Sequence, residues 1–115
     1  MIEERRCSYE VCELLHEKGF DVKCTDWYWE NNINIWKPTH QMACDWLMEK
    51  DIYISPKYSW FRSCKGAPHY EWKPVVLRLS TGNIIYPQLL DMCEYYKTYG
   101  EAVDAAIKYS LENLI

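Results

Sequence analysis

The chain has 115 residues, a length that fits one domain with a single core, and its 49% hydrophobic and 26% charged content excludes wholesale disorder. The net charge of -4 is uneven: residues 1–57 carry 7 basic and 11 acidic groups and residues 58–115 carry 6 of each, which excludes a general polyanion binder but leaves room for a local basic face. MIEERRCSYEVC has charges where a secretory leader needs an apolar run, and no stretch approaches the roughly 18 apolar residues of a membrane span, so a soluble, cytoplasmic protein without a membrane partner is expected.

Taken in chain order, Ser8 is placed to cap a first helix from about Tyr9 to Lys18, with Cys7, Val11, Leu14 and Leu15 on one face and Gly19 as its left-handed stop. Phe20 to Cys24 leads into TDWYWENNINIW, where Asn31, Asn32 and Asn34 suggest a turn between two short strands. Pro38 and Thr39 then signal a second helix, with Met42, Ala43, Trp46 and Leu47 at helical spacing up to Lys50.

Ile52, Ile54, Tyr58 and Trp60 share even positions, the alternation of a half-buried strand, which Pro56 marks as an edge or a bulge. The chain turns over SCKGAP and returns through Tyr70 and Trp72 into VVLRLS; the apolar parity switches across Pro74, which implies a bulge or bend. STGN offers a further turn to a strand, IIY. In PQLLDMCEYYK, Leu89, Leu90, Cys93 and Tyr96 suit a short helix, while an extended end to the segment is equally compatible. Thr98 and Glu101 form a capping box for the last helix, which carries Ala102, Val103, Ala106, Ile107, Ser110 and Leu114 on one face. Glu101, Asp104, Lys108 and Glu112 fall on the other, with Asp104 and Lys108 spaced for an i,i+4 pair.

One internal echo exists: VCELLHEKGFDVK and ACDWLMEKDIYIS align at an offset of 32 with four identities in thirteen positions. A shared helix-to-strand transition, which needs only apolar periodicity and a charged last turn, is preferred to duplication as its source.

SYEVCELLHEKGFDV, PTHQMACDWLMEKDIYI and TYGEAVDAAIKYSLENLI, 50 of the 115 residues, together resemble a family of short proteins of no established activity, common in gut bacteria of the Bacteroides group and in their phages and prophages. The resemblance implies a mobile-element context and a helix-strand-helix framework, with no site residues to carry over; Ser55 to Lys97 departs most from the family pattern. A second likeness concerns topology only. Helix, three strands, helix from Thr39 to Leu114 is the element order of a double-stranded RNA-binding domain, but Tyr99, Gly100 and Glu101 stand where that domain's phosphate-binding lysines should lie.

The sharpest functional candidate is YSWFRSCKGAPHYEWK, residues 58–73. From Ser55 to Ser80, Lys57, Arg62, Lys65, Lys73 and Arg78 face one acid, Glu71, for a net charge of +4, beside Tyr58, Trp60, Phe61, Tyr70 and Trp72. Single-stranded nucleic acid needs that combination, because cations neutralise phosphate and rings stack on bases for about 1–3 kcal/mol each. The competing and preferred reading is structural: aromatic cross-strand pairs stabilise a hairpin, and edge lysines deter aggregation. WYWENN raises a carbohydrate platform, for which nothing more specific speaks.

Six Trp and ten Tyr against two Phe favour rings with a polar handle, suited to core edges and to binding faces alike. In a reducing compartment Cys7, Cys12, Cys24, Cys44, Cys64 and Cys93 are expected as thiols acting mostly as small apolar residues. Cys12 with His16, His40 with Cys44, and Cys64 with His69 offer metal-ligand pairs, but there is no CxxC knuckle and Cys12 and His16 fall off the docking face, so no metal and no cofactor is expected. No nucleophile elbow, HExxH or phosphate-binding glycine loop occurs.

These readings converge on one α+β domain over residues 1–115, a small, mostly antiparallel sheet covered by the second and last helices with the first helix at one side. The expected function is a non-catalytic interaction module for a protein partner, homodimer formation included, with Tyr58, Trp60, Tyr70 and Trp72 as contacts and Arg62, Lys65 and Lys73 selecting an anionic partner. Direct nucleic-acid binding by the same hairpin is the alternative.

Overall fold

The computed structural model describes residues 6–30, 32–62, 68–86 and 96–115, with the backbone alone at 30, 59–62 and 68–71. The fold is α+β, in the order α1 (Tyr9–Glu17), β1 (Trp27–Glu30), β2 (Ile33–Trp36), α2 (His40–Met48), β3 (Ile52–Ile54), β4 (Lys57–Arg62), β5 (Pro68–Lys73), β6 (Val76–Arg78), β7 (Ile84–Tyr86) and α3 (Tyr99–Asn113).

Each helix starts at its expected cap, where a side-chain oxygen accepts a backbone N–H that the first turn leaves without a partner. Ser8 Oγ accepts from Val11 at 3.4 Å, Thr39 Oγ1 from Met42 at 3.2 Å and Thr98 Oγ1 from Glu101 at 3.2 Å. The Thr98 hydroxyl also donates to the Glu101 carboxylate at 3.1 Å. Past the end of α1, Gly19 has φ +91°, and its counterpart in the echo, Asp51, has φ +69° after α2. The echo therefore includes the left-handed stop as well as the helix. At Asp51, which has no glycine freedom, the carboxylate accepts the Ser80 N–H at 2.7 Å and the Ser80 hydroxyl at 2.6 Å, contacts that steady the conformation.

β1 and β2 form an antiparallel ribbon pairing Trp27 with Trp36, Tyr28 with Ile35 and Trp29 with Asn34. Asn32, at φ +63°, is in the turn, whereas Asn34, grouped with the turn by composition, lies inside β2.

Between α2 and α3 three strands are predicted and five are found among the described residues, because a proline divides each of the two longer ones. β3 pairs with β6 (Ile54 opposite Val76) and β4 pairs with β5 (Lys57 opposite Lys73). One register runs through both pairings, with the Ser55 N–H donating to Val75 O at 2.9 Å between them, so Pro56 stands opposite Pro74. Trp72 and Arg78 send their N–H groups away from the partner strand, to Tyr96 O at 2.7 Å and Asn83 O at 3.0 Å. Pro74 shares that parity, so its missing N–H leaves the inner ladder intact and interrupts only the outer edge, between β7 and Tyr96. The parity switch is thus a break between two sheets, and a continuous strand from Ile52 to Trp60 is not found. Ile52 and Ile54 are buried while Tyr58, of the same parity, is exposed. Apart from Tyr96 and Lys97, the PQLLDMCEYYK segment lies outside the described residues.

The core is built around α3, which packs against α1, α2, β3 and β5. Ala102, Val103, Ala106, Ile107, Ser110 and Leu111 are buried on it, and the Ser110 hydroxyl is satisfied by Ala106 O at 2.9 Å. One hydrophobic cluster joins this face to Val11, Cys12 and Leu15 of α1, Ile35 of β2, Ala43, Trp46 and Leu47 of α2, and Ile52, Ile54 and Val76 of the sheet. α1 packs against α3 and β2, to one side of the β3-β6-β7 sheet as expected, and Val11 and Leu15 are fully enclosed there. Cys12 is also corrected, being core and not off the docking face. No described helix is long and apolar enough to cross a membrane.

Truncating Ile107, which is fully buried at the centre of α3, leaves a cavity that the packed helices cannot close. Ile107→Ala is expected to lower unfolding stability by about 2–5 kcal/mol, read as a lower urea midpoint with unchanged slope.

Candidate interaction surfaces and the Asp104 junction

The residues expected to form a site fall in and around the β4–β5 hairpin. Tyr58 is 59% exposed, and its ring lies 5.0 Å from that of Trp72, the residue opposite in register. Trp72 is half-buried because Tyr99, at the start of α3, meets its other side edge-on at 5.0 Å. The ring sequence Tyr58–Trp72–Tyr99 therefore ties the hairpin to α3. Lys73 is half-buried and directly opposite Lys57, and among the described residues neither enters an ion pair. Like charges directly opposite are unfavourable in a sheet unless something else satisfies them. Trp60 pairs with Tyr70, and Arg62 with Pro68, along the backbone. The side chains of Trp60, Arg62 and Tyr70, and Lys65 altogether, lie outside the described residues.

Sequence reasoning gave less weight to a second aromatic surface. Opposite residues of an antiparallel ribbon share a face. Trp27, Trp29, Asn34 and Trp36 therefore lie on one side of β1–β2, with Trp36 also packed against the edge of the core, while Tyr28 and Ile35 turn toward the core. Trp29 is 65% and Trp27 50% exposed, and Trp27 meets Trp36 edge-on at 6.2 Å. The inward face is fixed by Tyr28, which packs edge-on against Tyr9 at 4.9 Å and carries the Lys37 ammonium over its ring at 5.0 Å. The signal for this surface was the alternation Trp-Tyr-Trp. Period two sends Tyr28 inward and both tryptophans outward.

A third feature had no signal in sequence. Asp104, expected on the solvated face and paired with Lys108, instead accepts the Ser8 N–H at 2.9 Å and contacts His40 Nε2 at 3.3 Å. Lys108 pairs with Glu10 of α1 at 3.0 Å, so both halves of the expected i,i+4 pair bond to other elements. Asp104 thereby joins the starts of α1 and α2 to the middle of α3. Burial pushes its carboxyl up, but the hydrogen bonds from His40 and Ser8 outweigh that and hold it below the usual aspartate value. Beside it Cys7 is 2% exposed, with its N–H on Pro38 O at 3.0 Å and its thiol toward Thr39 O at 3.9 Å. Burial pushes the Cys7 thiol up, Cys12 up to about 12 and Cys44 up to about 11, so none is a ready nucleophile. Cys7, Cys12, Cys24 and Cys44 are free thiols; Cys64 and Cys93 lie outside the described residues. His40 and Asp104 line a cleft of about 530 Å³ whose walls include Arg6, Glu101 and Lys108.

Because the folded carboxyl of Asp104 titrates below its unfolded value, the stability it contributes is present above the unfolded pKa of about 3.8 and lost as pH falls through the folded one. Urea midpoints measured from pH 6 downward should therefore fall below about pH 4. Asp104→Asn, which keeps an acceptor for Ser8, should flatten that fall. No protein-family model matches the chain, and neither does any curated protein or any solved structure, so function is read from geometry alone.

Proposed function

We propose that the protein is a non-catalytic interaction module that binds a protein partner through the outward face of the β1–β2 ribbon. The supporting observation is the exposure of Trp27 and Trp29 side by side, with Trp36 half-buried next to them. Tryptophan carries more binding energy per residue than almost any other side chain when a partner covers it, and it sits where binding energy concentrates. The inward face of the ribbon is held by Tyr28 and Ile35, so the surface is preformed and little ordering cost falls on binding. The resemblance of three sequence blocks to a family of phages and gut bacteria supports a mobile-element setting, and the charged start of the sequence supports a cytoplasmic one.

A second reading keeps nucleic acid as the ligand of the β4–β5 hairpin. It is favoured by Lys57 facing Lys73 with no anion to balance them among the described residues, and by the exposed ring of Tyr58 on the other face of the ribbon. A phosphate would relieve that repulsion.

In Trp27→Ala/Trp29→Ala, loss of the exposed Trp29 ring should alter stability by no more than about 0.5 kcal/mol, and loss of Trp27 with its edge-on contact to Trp36 should cost up to about 1 kcal/mol. Affinity capture from host extract, with nuclease and at raised salt, should recover a protein that the double variant loses. Equal recovery by both proteins sinks the ribbon reading. Binding of a fluorescent single-stranded oligonucleotide that falls steeply with salt and is lost in Lys57→Ala/Lys73→Ala would favour the second reading instead.

A further inference from the structure

The junction at Asp104 brings together three different donors from three parts of the chain: the Cys7 thiol just before α1, the His40 imidazole at the start of α2 and the Asp104 carboxylate in α3. Their ligand atoms all lie within 4.8 Å of one another, and His40 Nε2 stands 3.3 Å from Asp104 Oδ1. Around a tetrahedral zinc ion, bonds of about 2.0–2.3 Å place neighbouring ligand atoms about 3.3–3.6 Å apart. The His–Asp distance already has that value, and with every separation within 4.8 Å the thiol needs to close by at most about 1 Å. Neither of the two helical pairs predicts this set: His16 is exposed at the far end of α1, and the partner of His40 is Cys7 rather than Cys44, while Cys64 and the His69 side chain lie outside the described residues.

We propose that Cys7, His40 and Asp104 bind a zinc-class divalent ion, with a fourth position open to the cleft that His40 and Asp104 line. On uptake the thiol proton leaves to solvent and a sulfur–metal bond replaces the S–H bond; thiolate and carboxylate together neutralise the two charges of the ion, and imidazole donates as the neutral ring. The surroundings hold the donors in place. The Cys7 backbone is tied through its N–H to Pro38 O, and the Asp104 carboxylate is oriented by the Ser8 N–H. Three protein ligands and one open position is the coordination pattern of an ion that meets water or a ligand, whereas closed four-ligand sites are structural. The site is independent of the tryptophan face and does not rest on the reading given to that face.

Cobalt(II) is the probe, because thiolate ligation gives it a charge-transfer band and four-coordination intensifies its visible bands. Chelator-stripped, reduced protein titrated with cobalt should develop both, saturating at one equivalent, and zinc should bleach them. Cys7→Ala should lose the charge-transfer band, and His40→Ala and Asp104→Asn should weaken uptake at least tenfold. The thermal midpoint of the wild type should rise with zinc concentration, and that of Cys7→Ala should not. Should Cys7→Ala or His40→Ala fail to fold by circular dichroism, Asp104→Asn, which preserves the acceptor for Ser8, decides the matter. Absence of a charge-transfer band in the wild type, or wild-type spectra in the folded variants, overturns the site.

Discussion

The carboxylate of Asp104 holds the beginnings of two helices to the middle of a third. A partly enclosed charge is costly without partners, and here the partners are a backbone N–H that helix α1 cannot satisfy internally and a side chain at the first position of α2. Negative charge at two helix starts also meets the positive ends of both dipoles. The contact ties the starts of α1 and α2 to α3 beside the core that the three helices share. The enclosure of Leu15, Leu47 and Ile107 follows from that arrangement.

The long hairpin is organised by a different constraint. Two prolines placed opposite each other in one register divide it into a half that belongs to the core and a half that does not. Below them β3 and β6 present Ile52, Ile54 and Val76 to the helices, with β7 alongside. Beyond them, among the described residues, β4 pairs with β5, and β5 is bridged on its outer side by Tyr96 and met, through Trp72, by Tyr99. On one face of the long hairpin Ile52 and Ile54 are therefore buried before the break, and Tyr58 beyond it is exposed.

The unusual balance of tryptophan and tyrosine over phenylalanine now has a physical distribution. Phe20 and Trp46 pack edge-on in the core at 5.5 Å, and Tyr86 stacks on Tyr109 at 4.1 Å where the sheet meets α3. Trp27, Trp29, Tyr58 and Tyr99 are exposed. Rings with a polar atom serve positions that are half wet and half dry, which phenylalanine serves less well.

Local chemistry was legible in the sequence. Caps at Ser8, Thr39 and Thr98, the stop at Gly19, the asparagine turn and the α3 stripe depend on residues a few positions apart, so periodicity and side-chain type determine them. Of the candidate site, the hairpin over residues 58–73 was legible but not its register, which pairs Tyr58 with Trp72 and Lys57 with Lys73, and the ribbon face of Trp27 and Trp29 emerged only from the pairing of β1 with β2. Which faces are covered was decided only by tertiary structure. Asp104 and Cys12 look solvent-facing on an isolated helix and Tyr58 looks buried on an isolated strand. Asp104 and Cys12 are covered by elements brought from elsewhere in the chain, as when Ser8 and Asp104 meet across 96 positions, whereas Tyr58 lies beyond the proline break, where the core no longer covers its strand. The spacing of residues along a helix or strand says which side chains share a face, but the packing of distant segments determines whether that face meets water.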